Sequence, residues 1–447
     1  MFDKILIANR GEIAVRIIRA CREMGIRTVA VFSEPDREAL HAQLADEAVC
    51  IGSAKVADSY LNMNNIISAA VQTQAEAIHP GFGLLSENST FATMCNECNI
   101  KFIGPDSSVI DALGNKSNAR EMMIKAGVPV IPGSDGIVED FPQAYKVAER
   151  LGYPVMVKAS AGGGGKGIRI VRTRDELESA YESAKSETMA AFGDDHMYME
   201  KVIEHARHVE VQVLGDSYGN VIHLGERDCS LQRKNQKVLE ESPCPVLSQE
   251  VREKMCNSAV LAAKAAGYQS AGTIEFLYKN GEYYFMEMNT RIQVEHPITE
   301  MVTGVDIVKE QIKIANGEKL SYSQNDIVMQ GHSIECRINA ENPDRNFAPC
   351  PGLIDYLMLP AGGIGLRVDT AVYEGYEIPP YYDSMIAKVI VHGKDRNEAI
   401  EKMHRALYEF IIEGIETNIE FQDRILNHPD YINGKFDTSF LAEKILR

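Results

Sequence analysis

The chain has 447 residues, 45% hydrophobic and 25% charged, with a formal net charge of −18. This length predicts two to four domains at roughly 100–200 residues each, and the composition is that of an ordinary soluble globular protein. The acidic balance argues against nucleic acid as a partner, and any anion site must gather its Lys and Arg locally.

No run approaches the ~18 apolar residues of a membrane helix, so no membrane partner is expected. The segment from Met1 to Ala8 enters a strand-like run at once and has the shape of neither a signal nor a transit peptide, which predicts a cytoplasmic protein. Nine cysteines at irregular spacing argue against a disulfide framework. Cys95 and Cys98 form one isolated pair, for which burial on a helix is the expected role.

Lys4 to Ala8 reads as a buried strand, Ile13 to Met24 as an amphipathic helix ended by Gly25, and Thr28 to Phe32 as a second strand. The strand–helix–strand pattern recurs with a helix near Met63 to Gln72, strand Ala75 to Ile78, a turn at His79 to Gly83, helix Glu87 to Glu97 and strand Lys101 to Gly104. A doubly wound parallel sheet follows from that repetition. Ala8-Asn9-Arg10-Gly11-Glu12 lacks the spaced glycines of a dinucleotide loop, so this unit reads as a scaffold that lends a loop to a site elsewhere.

From Lys116 the pattern changes. Helices cover Lys116 to Ala126 and Pro142 to Leu151. Strands Tyr153 to Ala159 and Ile168 to Val171 flank a glycine-rich loop, helix Asp175 to Glu187 follows, and Met197 to Ile203 is a strand running into a turn. From Val209 to Leu224 the alternation is antiparallel, a long helix spans Ser248 to Ala266, and a hairpin turns at Asn280-Gly281. The last third mixes short strands, turns and a helical region from Arg396.

Four groups of residues carry chemistry. Gly162 to Gly165 let backbone N–H groups approach an anion, and Lys158 at the end of the preceding strand suits a lid over nucleotide phosphates. Glu275 and Glu287 lie on the two hairpin strands. A two-residue loop pairs Glu275 with Met286 and separates the acids, so a shared metal site predicts a three-residue loop. With Asn289 they supply oxygen ligands for Mg²⁺. Glu287, Asn289, Arg291, Gln293 and Glu295 alternate with Met288, Thr290, Ile292 and Val294, which puts the polar set on one face of an extended segment. Eight steps of ideal strand cover roughly 26 Å, too long for one small substrate, so the chain is expected to bend part-way. Arg291 suits a small planar oxyanion, with Lys237 and Arg337 as further cations and Glu295 as a general base. His208 and His296 read as polar supports.

These residues together resemble the ATP-grasp superfamily and, within it, biotin carboxylase, in the form that serves as a subunit of bacterial-type acetyl-CoA carboxylase. The resemblance is carried by Ile7 to Ala14, His79 to Gly83, Lys158 to Gly167, Gly225 to Ser230, Glu287 to His296 and Cys336 to Glu341. It implies an α/β chain that becomes α+β toward its C-terminus. Its domains would be an N-terminal doubly wound domain (1–114), an ATP-grasp lid with a glycine-rich hairpin (115–203), and a larger C-terminal domain on an antiparallel sheet (204–447), with the ATP-grasp region at about 120–317.

The resemblance assigns ATP to Lys116, Lys158, Gly164, Gly165, the Glu200-Lys201-Val202-Ile203 hinge, His208, Gln232 and Asn235, with Glu275 and Glu287 reaching it through Mg²⁺ or Mn²⁺. Glu275, Glu287 and Asn289 hold the metal, Lys237, Arg291, Gln293 and Val294 bind bicarbonate, and Glu295 deprotonates it. Arg337 stabilises the biotin enolate, with Phe82 on the biotin side. Relatives often have Tyr in place of Phe82 and His in place of Asn235. The resemblance further implies a homodimer, a separate biotin carboxyl carrier protein (no Met-Lys-Met tripeptide occurs and the chain ends at Arg447) and carboxyltransferase subunits. Another ATP-grasp ligase, or a biotin carboxylase serving a different acyl-CoA or pyruvate, is the alternative.

Overall fold

The structure, a computed structural model, describes residues 1–159, 167–192 and 195–446. Strands Lys4–Ile7 (β1), Arg27–Ser33 (β2), Glu47–Gly52 (β3), Ala77–His79 (β4) and Lys101–Phe102 (β5) form a parallel sheet in the order β3-β2-β1-β4-β5. Alternate residues of β1 enter two different cores. Ile5 and Ile7 pack with Ile13 and Ile17 of helix Gly11–Glu23, while Leu6 packs with Val29, Val31 and Ile78. A strand covered on both faces has no polar face to alternate, which is why β1 reads as a continuous apolar run. The edge strand β3 was not expected. Its pattern is mostly exposed, so it lacks the apolar signal that marks the central strands.

The core beneath β1 continues into Leu214, Ile222, Ala271, Ile307 and Ile312, so the parallel sheet backs directly onto the next part of the chain. Strands Val155–Ala159 (β6), Ile168–Val171 (β7) and Met197–Lys201 (β8) form a small antiparallel sheet in the order β7-β6-β8. With helices Phe141–Leu151 and Leu177–Phe192 it closes its own core around Val155, Val157, Met197 and Met199. Lys158 pairs with Ile168 across the mouth of the glycine-rich loop, but Gly164 and Gly165 themselves lie outside the described residues.

The main scaffold is an eight-stranded antiparallel sheet. Its strands are Arg207–Gly215 (β9), Val221–Arg233 (β10), Gln236–Ser242 (β11), Ser270–Lys279 (β12), Glu282–Asn289 (β13), His332–Asn339 (β14), Leu366–Thr370 (β15) and Met385–Gly393 (β16). They run in the order β13-β12-β9-β10-β11-β14-β16-β15. The last third holds the short strands expected, but β14 and β16 are longer. So is β10, and β11 was missed. They join through Lys234-Asn235, both at positive φ, a two-residue hairpin turn without the glycine that signals one.

The β12–β13 hairpin corrects one expectation and keeps its consequence. The loop has two residues: Lys279 pairs with Glu282 around Asn280 and Gly281, at φ +50° and +90°. Glu275 nevertheless pairs with Glu287, because a β-bulge beyond the Phe276–Phe285 pair adds one residue, Met286, to β13. The apolar packing requires that extra residue. Phe285 and Met288 both enter the core with Ile274 and Phe276, and the unbulged strand would send them to opposite faces. The strand ends at Asn289, and helix His296–Thr303 begins just past Glu295 with Pro297 in its first turn. The alternation is thus a strand only over its first three residues.

Candidate active site

One face of the large sheet carries a band of charge. The register sets Glu275 beside Glu210, Glu210 beside Arg227, Gln232 beside Lys237, Glu240 beside Glu335, and Lys388 between Arg337 and Asp369. Most of these groups are buried and pair with an opposite charge, whereas neither oxygen of Glu335 has a hydrogen bond among the described residues and burial raises its pKa well above the usual carboxylate range. Helix His296–Thr303 lies against β14 and β16 and brings Glu295, 0% exposed, onto the band.

Lys237 Nζ donates to three carboxylates: Glu295 Oε1 at 2.5 Å, Glu210 Oε2 at 2.6 Å and Glu275 Oε1 at 3.2 Å. Arg337 Nη2 reaches the other oxygen of Glu295 at 2.9 Å, and its Nε donates to Glu240 at 2.6 Å. Burial pushes the Glu295 carboxyl up, but Lys237, then Arg337 and Arg227, outweigh it and hold it well below the usual carboxylate range. Glu275 behaves likewise, with Lys237 and His208 overcoming burial. Burial acts to lower Lys237, yet its three acids carry it well above an ordinary lysine. Glu240 goes the other way: burial, with help from Glu295, exceeds the pull of Arg337 and lifts it to about 7.

Beside this cluster Gln293 Nε2 and Asn289 Nδ2 both donate to Glu275 Oε1, at 3.0 and 2.8 Å. His208 Nε2 lies 3.0 Å from Glu275 Oε2, an ion-pair distance with poor hydrogen-bond alignment, and its Nδ1 meets Gln232 at 3.0 Å. It thus supports Glu275, and its pKa is raised because Glu275 outweighs burial. His296 is a support too, its Nδ1 2.8 Å from the Gln293 carbonyl. Arg291 donates to Asn289 Oδ1 at 3.1 Å, Gln293 Oε1 at 3.3 Å and, from Nε, to Glu87 of the N-terminal unit at 2.8 Å.

These side chains surround a cavity of about 800 Å³. Of the expected site residues, it is lined by Phe82, His208, Gln232, Asn235, Lys237, Glu275, Glu287, Asn289, Arg291, Gln293, Val294 and Arg337. The opposite wall comes from Asn9 to Ile13 and Tyr381 to Met385, so the N-terminal unit does lend its first turn to the site. The remaining expected residues sit elsewhere. Lys158 pairs with Glu200 on the small sheet. Lys201 turns its ammonium to the carbonyls of Gly152 and Tyr153, at 2.7 and 3.0 Å, and its N–H donates to the Pro132 carbonyl at 2.8 Å. The Val202 N–H donates to the Pro154 carbonyl, and Ile203 follows, partly buried. Lys116 joins the two regions, 3.4 Å from Glu287.

The expected metal ligands pass a test of donor chemistry. Glu275, Glu287 and Asn289 offer hard oxygens from adjacent, paired positions, as Mg²⁺ or Mn²⁺ requires. Two tighter groups, His208–Glu210–Glu275 and Glu210–Cys229–Glu295, have ligand-like spacing. The carboxylates of both already bond the one Lys237 ammonium, Glu275 among them. Half-exposed Glu287, paired only with the exposed Lys116 among the described residues, is the more accessible oxygen donor.

Sequence reasoning missed Glu87, Glu210 and Glu240, the acids that orient the cations, and Arg227, which bonds Glu210. A signal existed for one: in Val209-Glu210-Val211-Gln212-Val213 an acid and an amide take every place on the second face of a fully buried strand. Cys95 is buried on its helix, whereas Cys98 is exposed at the helix end.

Three family descriptions match the chain in order: "Biotin carboxylase, N-terminal domain" over residues 1–110, "Carbamoyl-phosphate synthase L chain, ATP binding domain" over 115–323, and "Biotin carboxylase C-terminal domain" over 335–443. Biotin carboxylase 1 of Bacillus subtilis is 60% identical over 443 residues, covering 99% of this chain and 98% of that one. A biotin carboxylase–β,γ-ATP complex from Campylobacter jejuni superposes with a TM-score of 0.94 at 51% identity, covering 99% of both chains. The biotin carboxylase domain dimer of Hydrogenobacter thermophilus 2-oxoglutarate carboxylase, in complex with MgADP, ADP and bicarbonate, gives 0.92 at 53%, covering 99% of this chain and 98% of that one. With full-length identity at this level, and a buried acid held between two cations that line the cavity, the chain belongs to the biotin carboxylase family of ATP-grasp ligases.

Proposed function

We propose that this enzyme carboxylates biotin on a separate carrier protein, using ATP and bicarbonate through carboxyphosphate, as the first half-reaction of an acetyl-CoA carboxylase. The observation that carries the reading is the grip on Glu295: a fully buried carboxylate with Lys237 at 2.5 Å on one oxygen and Arg337 at 2.9 Å on the other. Bicarbonate is an anion and a weak nucleophile, so its attack needs cations to hold it and a base beside them.

The residue roles follow from that need. Arg291, Lys237, Gln293 and Val294 hold bicarbonate, and Glu295 takes its proton as a bicarbonate oxygen attacks the γ-phosphorus and ADP leaves. While Lys237 and Arg337 bond only Glu295 and its acidic neighbours, the base is weak. A bound bicarbonate shares Lys237, loosens its hold and makes Glu295 more basic at the step that uses it. Carboxyphosphate breaks to CO₂ and phosphate. Phosphate takes the N–H proton of the biotin ring, Arg337 stabilises the enolate oxygen, and the nitrogen attacks CO₂. Lys116, Lys158, Gly164, Gly165 and the Glu200–Ile203 segment bind the nucleotide, with His208, Gln232 and Asn235 on the cavity side. Glu275, Glu287 and Asn289 hold Mg²⁺ or Mn²⁺, which when bound neutralises the polyphosphate.

The enzyme is a homodimer working with a biotin carboxyl carrier protein and carboxyltransferase subunits. Nine unpaired cysteines support a reducing compartment, the cytoplasm. No helix among the described residues is long and apolar enough to cross a membrane. A second acceptor, a 2-oxo acid such as pyruvate or 2-oxoglutarate, is favoured by the likeness to the Hydrogenobacter chain. The test is ADP release with bicarbonate present, with and without free biotin. Stimulation by biotin supports the reading; turnover on another carboxylate and none with bicarbonate would overturn it.

A further inference from the structure

Lys388 is a lysine with a fully buried side chain, 0% exposed, midway along β16, one strand in from the edge of the eight-stranded sheet. A charge in such a place is costly unless something uses it, and methionine would fill the same space without that cost. Its ammonium donates to the Val294 carbonyl at 2.8 Å. Glu12 Oε1, on the first helix of the N-terminal unit, lies 3.1 Å away, and Asp369 lies 3.9 Å away. Glu12 is itself buried, and neither of its oxygens has an aligned hydrogen bond among the described residues. The ammonium is the nearest charge that opposes the burial of that acid, although burial prevails and raises the Glu12 carboxyl. Burial acts to lower Lys388, but Glu12 and Glu335 raise it, so the side chain stays charged.

The peptide between Val294 and Glu295 is trans, so its carbonyl and N–H point to opposite sides. Anchoring the carbonyl turns the N–H of Glu295 away from β16 and fixes the backbone on which the Glu295 side chain is mounted. Val294 lines the cavity and Glu295 is the gripped acid, so one ammonium sets both.

We propose that Lys388 is a positioning residue that orients the Val294–Glu295 peptide for bicarbonate, and that Glu12 holds Lys388 in place from the N-terminal unit. This rests on the bicarbonate reading given above. The first turn of the N-terminal unit thus contributes an orienting charge behind the site as well as a wall beside it. A misplacement of about 1 Å near reacting groups costs on the order of 100-fold in rate, which sets the scale of the effect.

The test compares Lys388→Met, Glu12→Gln and the double variant, measuring kcat, KM for bicarbonate, KM for ATP, and Tm. The double variant removes both buried charges together and keeps a Tm close to wild type. Expected is a rise of about tenfold or more in KM for bicarbonate, or an equal loss of kcat, with KM for ATP within about twofold. If the double variant regains the bicarbonate parameters along with the Tm, the pair only holds the fold and the proposal is wrong. Should Lys388→Met not fold in either background, Glu12→Gln decides. A rise of about threefold or more in KM for bicarbonate at constant KM for ATP supports the proposal, and wild-type values overturn it. Wild-type ATP cleavage that ignores bicarbonate contradicts the underlying reading, and this inference with it.

Discussion

Replacing Lys237 by Met removes the ammonium that Glu210, Glu275 and Glu295 share. Three buried acids then face each other with only Arg227, His208 and Arg337 nearby. Breaking a buried pair from one side costs about 3–5 kcal/mol. With an unfolding entropy of about 2.1 cal/mol/K per residue, 447 residues unfolding together give about 0.9 kcal/mol/K, so Tm falls by about 3–5 °C. The loss depends on pH, and its sign follows from the shifts. In the wild type Glu275 and Glu295 are depressed, so their stabilisation is present above the unfolded carboxyl pKa of about 4.3 and fades only as pH falls through their lower folded values. Without Lys237 burial prevails, these acids rise, and a proton replaces the missing charge at low pH. Thermal unfolding of both proteins at pH 8 and pH 5.5 should therefore show the larger Tm deficit at pH 8. An equal or larger deficit at pH 5.5 would refute the charge-sharing argument.

Glu295→Gln keeps the shape of the acid and removes its basicity. Bicarbonate-dependent ATP cleavage should fall by about 10²–10⁴-fold while ADP binding by calorimetry stays within about twofold; intact turnover would remove Glu295 as the base. Arg337→Ala should damage carboxylation of free biotin more than bicarbonate-dependent ATP cleavage, with some loss in both because Arg337 also holds Glu295. An equal loss would make the arginine a support for Glu295 alone. Gly281→Ala places a side chain at φ +90° in the hairpin turn and should destabilise by about 1 kcal/mol. Unchanged Tm there would mean the turn relaxes to another form.

The fold class was legible because buried strands such as Lys4–Ile7 and amphipathic helices such as Gly11–Glu23 carry their packing in their periodicity. The site chemistry was legible in the stretch from Glu287 to Glu295, where residue types rather than geometry spoke. What escaped depends on partners far away in the chain. The bulge at Met286 is forced by the core that takes Phe285 and Met288, so counting along the loop alone predicted the wrong turn for the right pairing. Glu87, Glu210 and Glu240 look like ordinary acids until folding brings Arg291, Lys237 and Arg337 to them from 204, 27 and 97 positions away. The edge strand Glu47–Gly52 escaped for the opposite reason: its half-exposed residues carry little pattern.

The central claim is that bicarbonate attacks the γ-phosphate with Glu295 as base. It predicts a specific atom transfer, since the attacking oxygen stays on phosphorus when carboxyphosphate breaks down. The enzyme should be given ATP, Mg²⁺, free biotin and ¹⁸O-labelled bicarbonate in unlabelled water, with carbonic anhydrase excluded. Mass spectrometry of the phosphate released should find one bicarbonate oxygen in each phosphate formed in the early phase, and Glu295→Gln should suppress that labelled product. Phosphate carrying oxygen from water instead would contradict the account.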